Sequence, residues 1–172
     1  METDGIRIGV VMQRRQLANR WQSLQWRPME VVGDVGLTDA SPRCLVEDET
    51  EARWLFPGIE VKLYSDEGEG YFLNISAPEP CWFIMWRLEE RDGIELAVPK
   101  SITLSYNEAA RLMDGGECVD TLPASRDVIA WLSAFTEAHY HPEPKKKRRK
   151  PSFEGGEGVE QMARAEGERH GS

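Results

Sequence analysis

Few side chains in this sequence are spaced for catalysis. His139 and His141 form an H-x-H. Two ligands are too few for a metal site, and positions i and i+2 on a helix face different ways. Glu47, Asp48, Glu49 and Glu51 crowd carboxylates into one stretch. They lack the alternating oxygen ligands and central glycine of a calcium loop, so a solvated turn is expected. Gly33-Asp34-Val35-Gly36 and Gly68-Glu69-Gly70 match neither a dinucleotide fingerprint nor a P-loop, and their acids repel phosphate. No G-x-S-x-G elbow occurs, and no serine or cysteine has a recognisable histidine partner. These patterns predict a protein that is not an enzyme and holds no cofactor or metal.

Two features point instead to binding. Lys145, Lys146, Lys147, Arg148, Arg149 and Lys150 form an unbroken cationic run between Pro144 and Pro151. Such a run offers contact with nucleic-acid phosphate or an acidic protein surface; its plain alternative is a solvated, solubilising tail. No aromatic residue is interleaved with the cations, so no stacking platform for single-stranded bases is expected. Trp21 sits in a polar context and is the candidate exposed recognition residue, with capping of a barrel edge as its other reading. The remaining tryptophans, Trp26, Trp54, Trp82, Trp86 and Trp131, read as core.

The elements that must carry these residues follow from composition and periodicity. The chain has 172 residues, with 21 basic and 30 acidic side chains and a net charge of −9. No apolar run approaches the roughly 18 residues that a spanning helix needs, so a soluble protein without membrane contact is expected. The charge is uneven. Residues 1–141 carry 13 basic and 24 acidic groups, whereas residues 142–172 carry 8 and 6. The first stretch is predicted to be a single β-rich globular domain. The second is Gly-, Glu- and Arg-rich and too poor in apolar residues to offset its ordering entropy, so a disordered tail is predicted. Cys44, Cys81 and Cys118 are scattered and odd in number, which predicts plain buried thiols in a reducing compartment. No secretory h-region opens the chain and no apolar stretch follows Arg14-Arg15, so the cytoplasm is expected.

Ile6, Ile8, Val10 and Met12 alternate as a strand. Leu24 to Val32 reads as an extended stretch with an edge or bulge at Pro28, and Gly33 to Pro42 as a loop. Arg43 to Glu47 and Ala52 to Phe56 read as a hairpin, punctuated by Pro57-Gly58. Ile59, Val61, Leu63 and Tyr71, Leu73, Ile75 read as an antiparallel pair about a turn at Ser65 to Gly70. Cys81 to Leu88 is nearly all apolar, as suits a central strand. Asp92-Gly93 predicts a tight hairpin to Ile94 to Val98, with Pro99 interrupting. Ser105 to Glu108 reads as a capping box with Gly115 at C′. Glu117 to Leu122 reads as a short extended link, and Pro123 as opening a helix with a stripe at Val128, Trp131, Leu132, Phe135 and His139. The fold class predicted is α+β: an antiparallel six-to-eight-stranded sheet or partly closed barrel, with a short helix and a C-terminal capping helix.

Three stretches carry a family resemblance. They are Arg14-Arg15 after the first strand, Asn19-x-Trp21 with Trp26-x-Pro28, and the block from Ser105 to His141. That block contains Asn107-Glu108-Ala109, Asp114-Gly115-Gly116-Glu117, Ala130-Trp131 and Phe135, ahead of the cationic run. Together they resemble a proteobacterial domain family of unknown function whose genes lie beside molybdenum- or tungsten-dependent formate dehydrogenase genes. Members are sometimes labelled molybdopterin-guanine dinucleotide biosynthesis protein A. The resemblance implies a non-catalytic accessory protein for maturation or assembly of the dehydrogenase. Its partner would be a dehydrogenase subunit or a maturation factor. The labelled nucleotidyltransferase activity is disfavoured, because Met12-Gln13-Arg14-Arg15-Gln16 stands where a Gly-rich GTP loop would follow the first strand. An interaction module acting through the tail on nucleic acid or an acidic surface is the other reading.

Overall fold

A computed structural model of the chain describes residues 5–18, 24–33 and 41–142. The chain divides into two units, Met1–Tyr140 and His141–Ser172, and every strand and helix below belongs to the first. The elements in chain order are β1 (Gly5–Gln16), β2 (Leu24–Gly33), β3 (Arg43–Glu47), β4 (Glu51–Lys62), a 3-10 turn (Ser65–Glu67), α1 (Gly68–Ile75), β5 (Cys81–Arg91), β6 (Ile94–Thr103), α2 (Tyr106–Asp114), β7 (Cys118–Pro123) and α3 (Arg126–His139). The strands form two antiparallel sheets, β2-β1-β4-β3 and β6-β5-β7, with no closed barrel among the described residues. The α+β class with mostly strands is therefore established, as two sheets rather than one.

The two sheets share a core. By register, Ile8, Val10 and Met12 of β1 lie beside Ile59, Phe56 and Trp54 of β4. On β2, Val31 and Pro28 oppose Val10 and Met12. Trp82 and Ile84 of β5 contribute from the other sheet, and Leu132 and Phe135 of α3 from the end. Tyr71 of α1 is fully buried and meets Phe135 edge-on, with ring centroids 5.9 Å apart. The opposite face of β5 is also covered: Phe83 is buried and packs edge-on against Tyr106 of α2.

Several local expectations hold. Pro28 falls on an edge strand at a register shift, where its missing N–H costs no ladder bond. Asp92 and Gly93 both take positive φ, 52° and 79°, as the tight hairpin requires. Pro99, by contrast, does not interrupt the strand: β6 runs through it as an edge strand, with a register shift opposite Trp86.

Others are corrected. Tyr71, Leu73 and Ile75 belong to helix α1, not a strand. Tyr71 and Asn74, three apart, are the buried pair, while Leu73 is exposed. The Asn74 amide donates to the carbonyls of Cys81 (2.8 Å) and Leu104 (2.9 Å) and accepts from the Cys81 N–H (3.0 Å), anchoring the helix to the start of β5 and to the residue that follows β6. Pro57-Gly58 does not divide the chain: β4 runs through it, with Gly58 at φ 71° beside the register shift between Ile8 and Val10. Glu117 to Leu122 is largely strand β7, which pairs with β5 and makes β5 central. Pro123 closes that strand, and Ser125 instead caps α3 by accepting the Val128 N–H at 3.3 Å. In α2, the Ser105 hydroxyl accepts the Glu108 N–H at 3.0 Å, but the Ser105 N–H goes to Thr103 Oγ1, not back to Glu108. Gly116, not Gly115, is the left-handed C′ residue, at φ 85°. The cysteines are not buried: Cys44 and Cys118 are exposed and Cys81 is intermediate.

Candidate functional site

The inner faces of the two sheets do not stay in contact along their whole length. At the end of β1 and the start of β2, the strands have run past the filled core and carry Arg14, Leu24 and Trp26 on the inner side. Opposite them, Trp86 and Leu88 of β5 continue the face that begins with Trp82 and Ile84, and Cys118 and Asp120 of β7 pair beside Trp86 and Ile84. The space between is a groove of about 630 Å³ that is open to solvent, with Ile94 and Glu95 of the β5–β6 hairpin on its rim.

The groove has a rigid polar frame and loose apolar walls. Asp120 Oδ2 accepts a hydrogen bond from Trp86 Nε1 at 2.8 Å, which fixes the indole against the β7 wall. The Arg14 guanidinium lies 5.9 Å from the Trp26 ring centre, within cation–π range. Trp26 is buried, whereas Leu24, Leu88 and Ile94 remain 45%, 51% and 44% exposed. Leu24 and Leu88 line this concave space and Ile94 reaches its rim, so the apolar exposure is gathered in one place rather than scattered. Partial burial first, then the negative charge of Asp120, hold the Cys118 thiol above its ordinary value. It is mostly thiol at neutral pH and a weak nucleophile there.

A second, smaller space of about 490 Å³ opens at the opposite end of the β2–β7 seam, against Ile6, Val31, Trp82 and Val128. The outer face of the four-stranded sheet carries a closed polar ladder. There Arg27 Nε donates to Gln13 Oε1 at 3.0 Å and Gln13 Nε2 donates to Glu51 Oε2 at 2.6 Å. Its donors and acceptors are already engaged with one another, so it is a structural tie.

The residues singled out by sequence fall as follows. Lys145, Lys146, Lys147, Arg148, Arg149, Lys150 and Trp21 lie outside the described residues. So does most of the expected loop between Gly33 and Pro42. His139 ends α3 and its ring lies 4.2 Å from that of Phe135. The acidic stretch is the β3–β4 turn: Asp48 Oδ1 accepts the N–H groups of Thr50 and Glu51, both at 2.8 Å, and these bonds hold its pKa below the usual carboxylate value. Among the described residues, no three His, Cys, Asp or Glu side chains are grouped to hold a metal ion. No described helix is long and apolar enough to cross a membrane. Sequence reasoning missed the groove. The available signal was Leu88 and Ile94 continuing an apolar pattern into the charged hairpin, and Asp120 on the face of β7 that also carries Leu122.

Fold and groove together define a two-sheet, helix-backed α+β domain whose inter-sheet space opens to solvent beside two tryptophans. The chain belongs to the family described as protein of unknown function (DUF3305), whose model matches residues 7–149. No curated protein matches it, and no solved structure does.

Proposed function

We propose that this protein is a non-catalytic accessory protein that works by docking a partner protein in the groove between its sheets. The observation that carries the reading is the convergence of Leu24, Leu88 and Ile94, each about half exposed, on a concave surface framed by Trp26 and Trp86. Burying one aliphatic side chain of this size is worth about 1.5–3 kcal/mol at full burial, so three half-exposed ones leave a substantial driving force for association. Arg14 and Trp26, two of the residues on which the family resemblance rests, stand on one wall. That resemblance, with its gene neighbourhood, supplies the biological setting: maturation or assembly of a molybdenum-dependent formate dehydrogenase, in the cytoplasm.

The test is genetic. Deleting the gene is expected to lower formate dehydrogenase activity at unchanged transcript level, and the full chain supplied in trans is expected to restore it. Normal activity in the deletion strain refutes the setting. The cationic run Lys145–Lys150 favours a second reading, an interaction module acting through the tail. A chain ending at His141 separates the two, because it loses a tail-borne function and keeps a groove-borne one.

A further inference from the structure

We infer that the groove takes a partner segment in which an apolar side chain is flanked by lysine or arginine; this rests on the groove being a docking surface. Unpaired charge is left over on its rim. Within the β5–β6 hairpin the cations are already used. Glu89 takes Arg91 at 3.0 Å and Lys100 at 2.7 Å. Arg87 is held by Glu117, whose carboxyl that contact keeps below its usual range. Glu90, Asp92 and Glu95 have no ion-pair partner among the described residues.

Glu90 and Glu95 are directly opposite in the antiparallel register, so they share one side of the hairpin. Glu95 lines the groove on that side. Directly opposed like charges destabilise an antiparallel pair, and Asp92 in the connecting turn adds a third carboxylate. Asp120 supplies a fourth from β7, one oxygen of which already holds Trp86. Among the described residues that line the groove, Glu95 and Asp120 are the acids and Arg14 is the one cation, on the far wall over Trp26. The apolar floor therefore ends at a carboxylate rim whose Glu90, Asp92 and Glu95 have no cation paired to them among the described residues. An incoming ammonium or guanidinium relieves the Glu90–Glu95 repulsion in the same step that buries Leu88, which shares their side of the hairpin. A second copy of this chain set groove to groove would double the repulsion, and nucleic acid would meet the same carboxylates.

The probe is a short fluorescent peptide of alternating leucine and lysine, titrated with the full-length protein and read by anisotropy. Matched leucine–glutamate and serine–lysine peptides are the comparisons. The leucine–lysine peptide is expected to bind at least about tenfold more tightly than either and to weaken as salt rises. Glu90→Gln/Glu95→Gln is expected to weaken it by about tenfold, while Glu60→Gln/Glu137→Gln, outside the groove, leaves it unchanged. All four positions are exposed, so these variants are expected to keep the fold, which unfolding curves check. Equal binding of either comparison peptide, no loss in Glu90→Gln/Glu95→Gln, or no binding at all overturns the inference. Leu88→Ser/Ile94→Ser separates the two layers. If it weakens a charge-indifferent peptide, docking stands and only the occupant's charge falls; if it changes nothing, the docking reading falls as well.

Discussion

The hydroxyl of Tyr71 accepts the Tyr64 N–H at 2.9 Å from inside the core, and burial pushes its pKa from 10.0 up to about 12. The folded state thus favours the neutral phenol. Its contribution is complete below the ordinary value near pH 10 and is lost as pH rises through 12. A displacement of this size corresponds to about 2–3 kcal/mol. Tyr71→Phe should cost about 1 kcal/mol at neutral pH, from the unpaired amide. It should also show a shallower loss of stability between pH 10 and 12 than the parent, as read by urea unfolding across that range. Gly70 makes a sharper residue-scale test. A Cβ there would lie 2.0 Å from Ser105 Oγ, the atom that caps α2 and donates to Glu67 at 2.6 Å. Gly70→Ala should lower stability by about 1–3 kcal/mol through overpacking, and more if the cap is lost, as read from the urea midpoint. None of this was visible in the sequence. Gly68-Glu69-Gly70 could be dismissed as a phosphate loop, but its close packing beneath Ser105 depends on residues 35 positions away.

At the scale of elements, legibility tracked how local the determining forces were. The Asp92-Gly93 hairpin and the α2 and β5 spans were readable because turn chemistry, a cap and a long apolar run decide them. Helix α1 was not. Over five residues, Tyr71, Leu73 and Ile75 satisfy period two, and only the tertiary bonds of Asn74 decide for a helix. β4 crosses Pro57-Gly58 because a bulge tolerates the missing N–H and Gly58 supplies the positive φ. The end of α2 offers a clean comparison. Glu117 N–H donates to Leu112 O at 3.0 Å and Gly116 N–H to Met113 O at 2.9 Å, the paired bonds of a Schellman motif. Gly116 bears the left-handed conformation while Gly115 does not. Gly116→Ala should cost about 1–2 kcal/mol, and Gly115→Ala close to nothing, in thermal unfolding.

At the scale of the whole molecule, two sheets meet over a core that fills one part of the space between them and leaves the rest as a groove. The sequence predicted the strand count and the antiparallel class, because alternation and turn residues are local. It could not reveal that the strands split into two sheets, nor that Arg14, Trp26, Trp86 and Asp120 face one another. Those neighbours come from residues 14 to 120, and no spacing rule links them. The site residues chosen from sequence, Trp21 and Lys145–Lys150, lie outside the described residues. The acidity of residues 1–141, by contrast, has gained a location, since part of it is the unpaired rim of the groove. The central claim is that this groove is where the protein acts, and complementation of the deletion strain tests it most directly. Leu88→Asp/Ile94→Asp alters only half-exposed positions and should accumulate to the parent level with an unchanged unfolding midpoint. Docking in the groove requires that this variant fail to restore the formate dehydrogenase activity that the parent chain is expected to restore; restoration to the parent level would refute it.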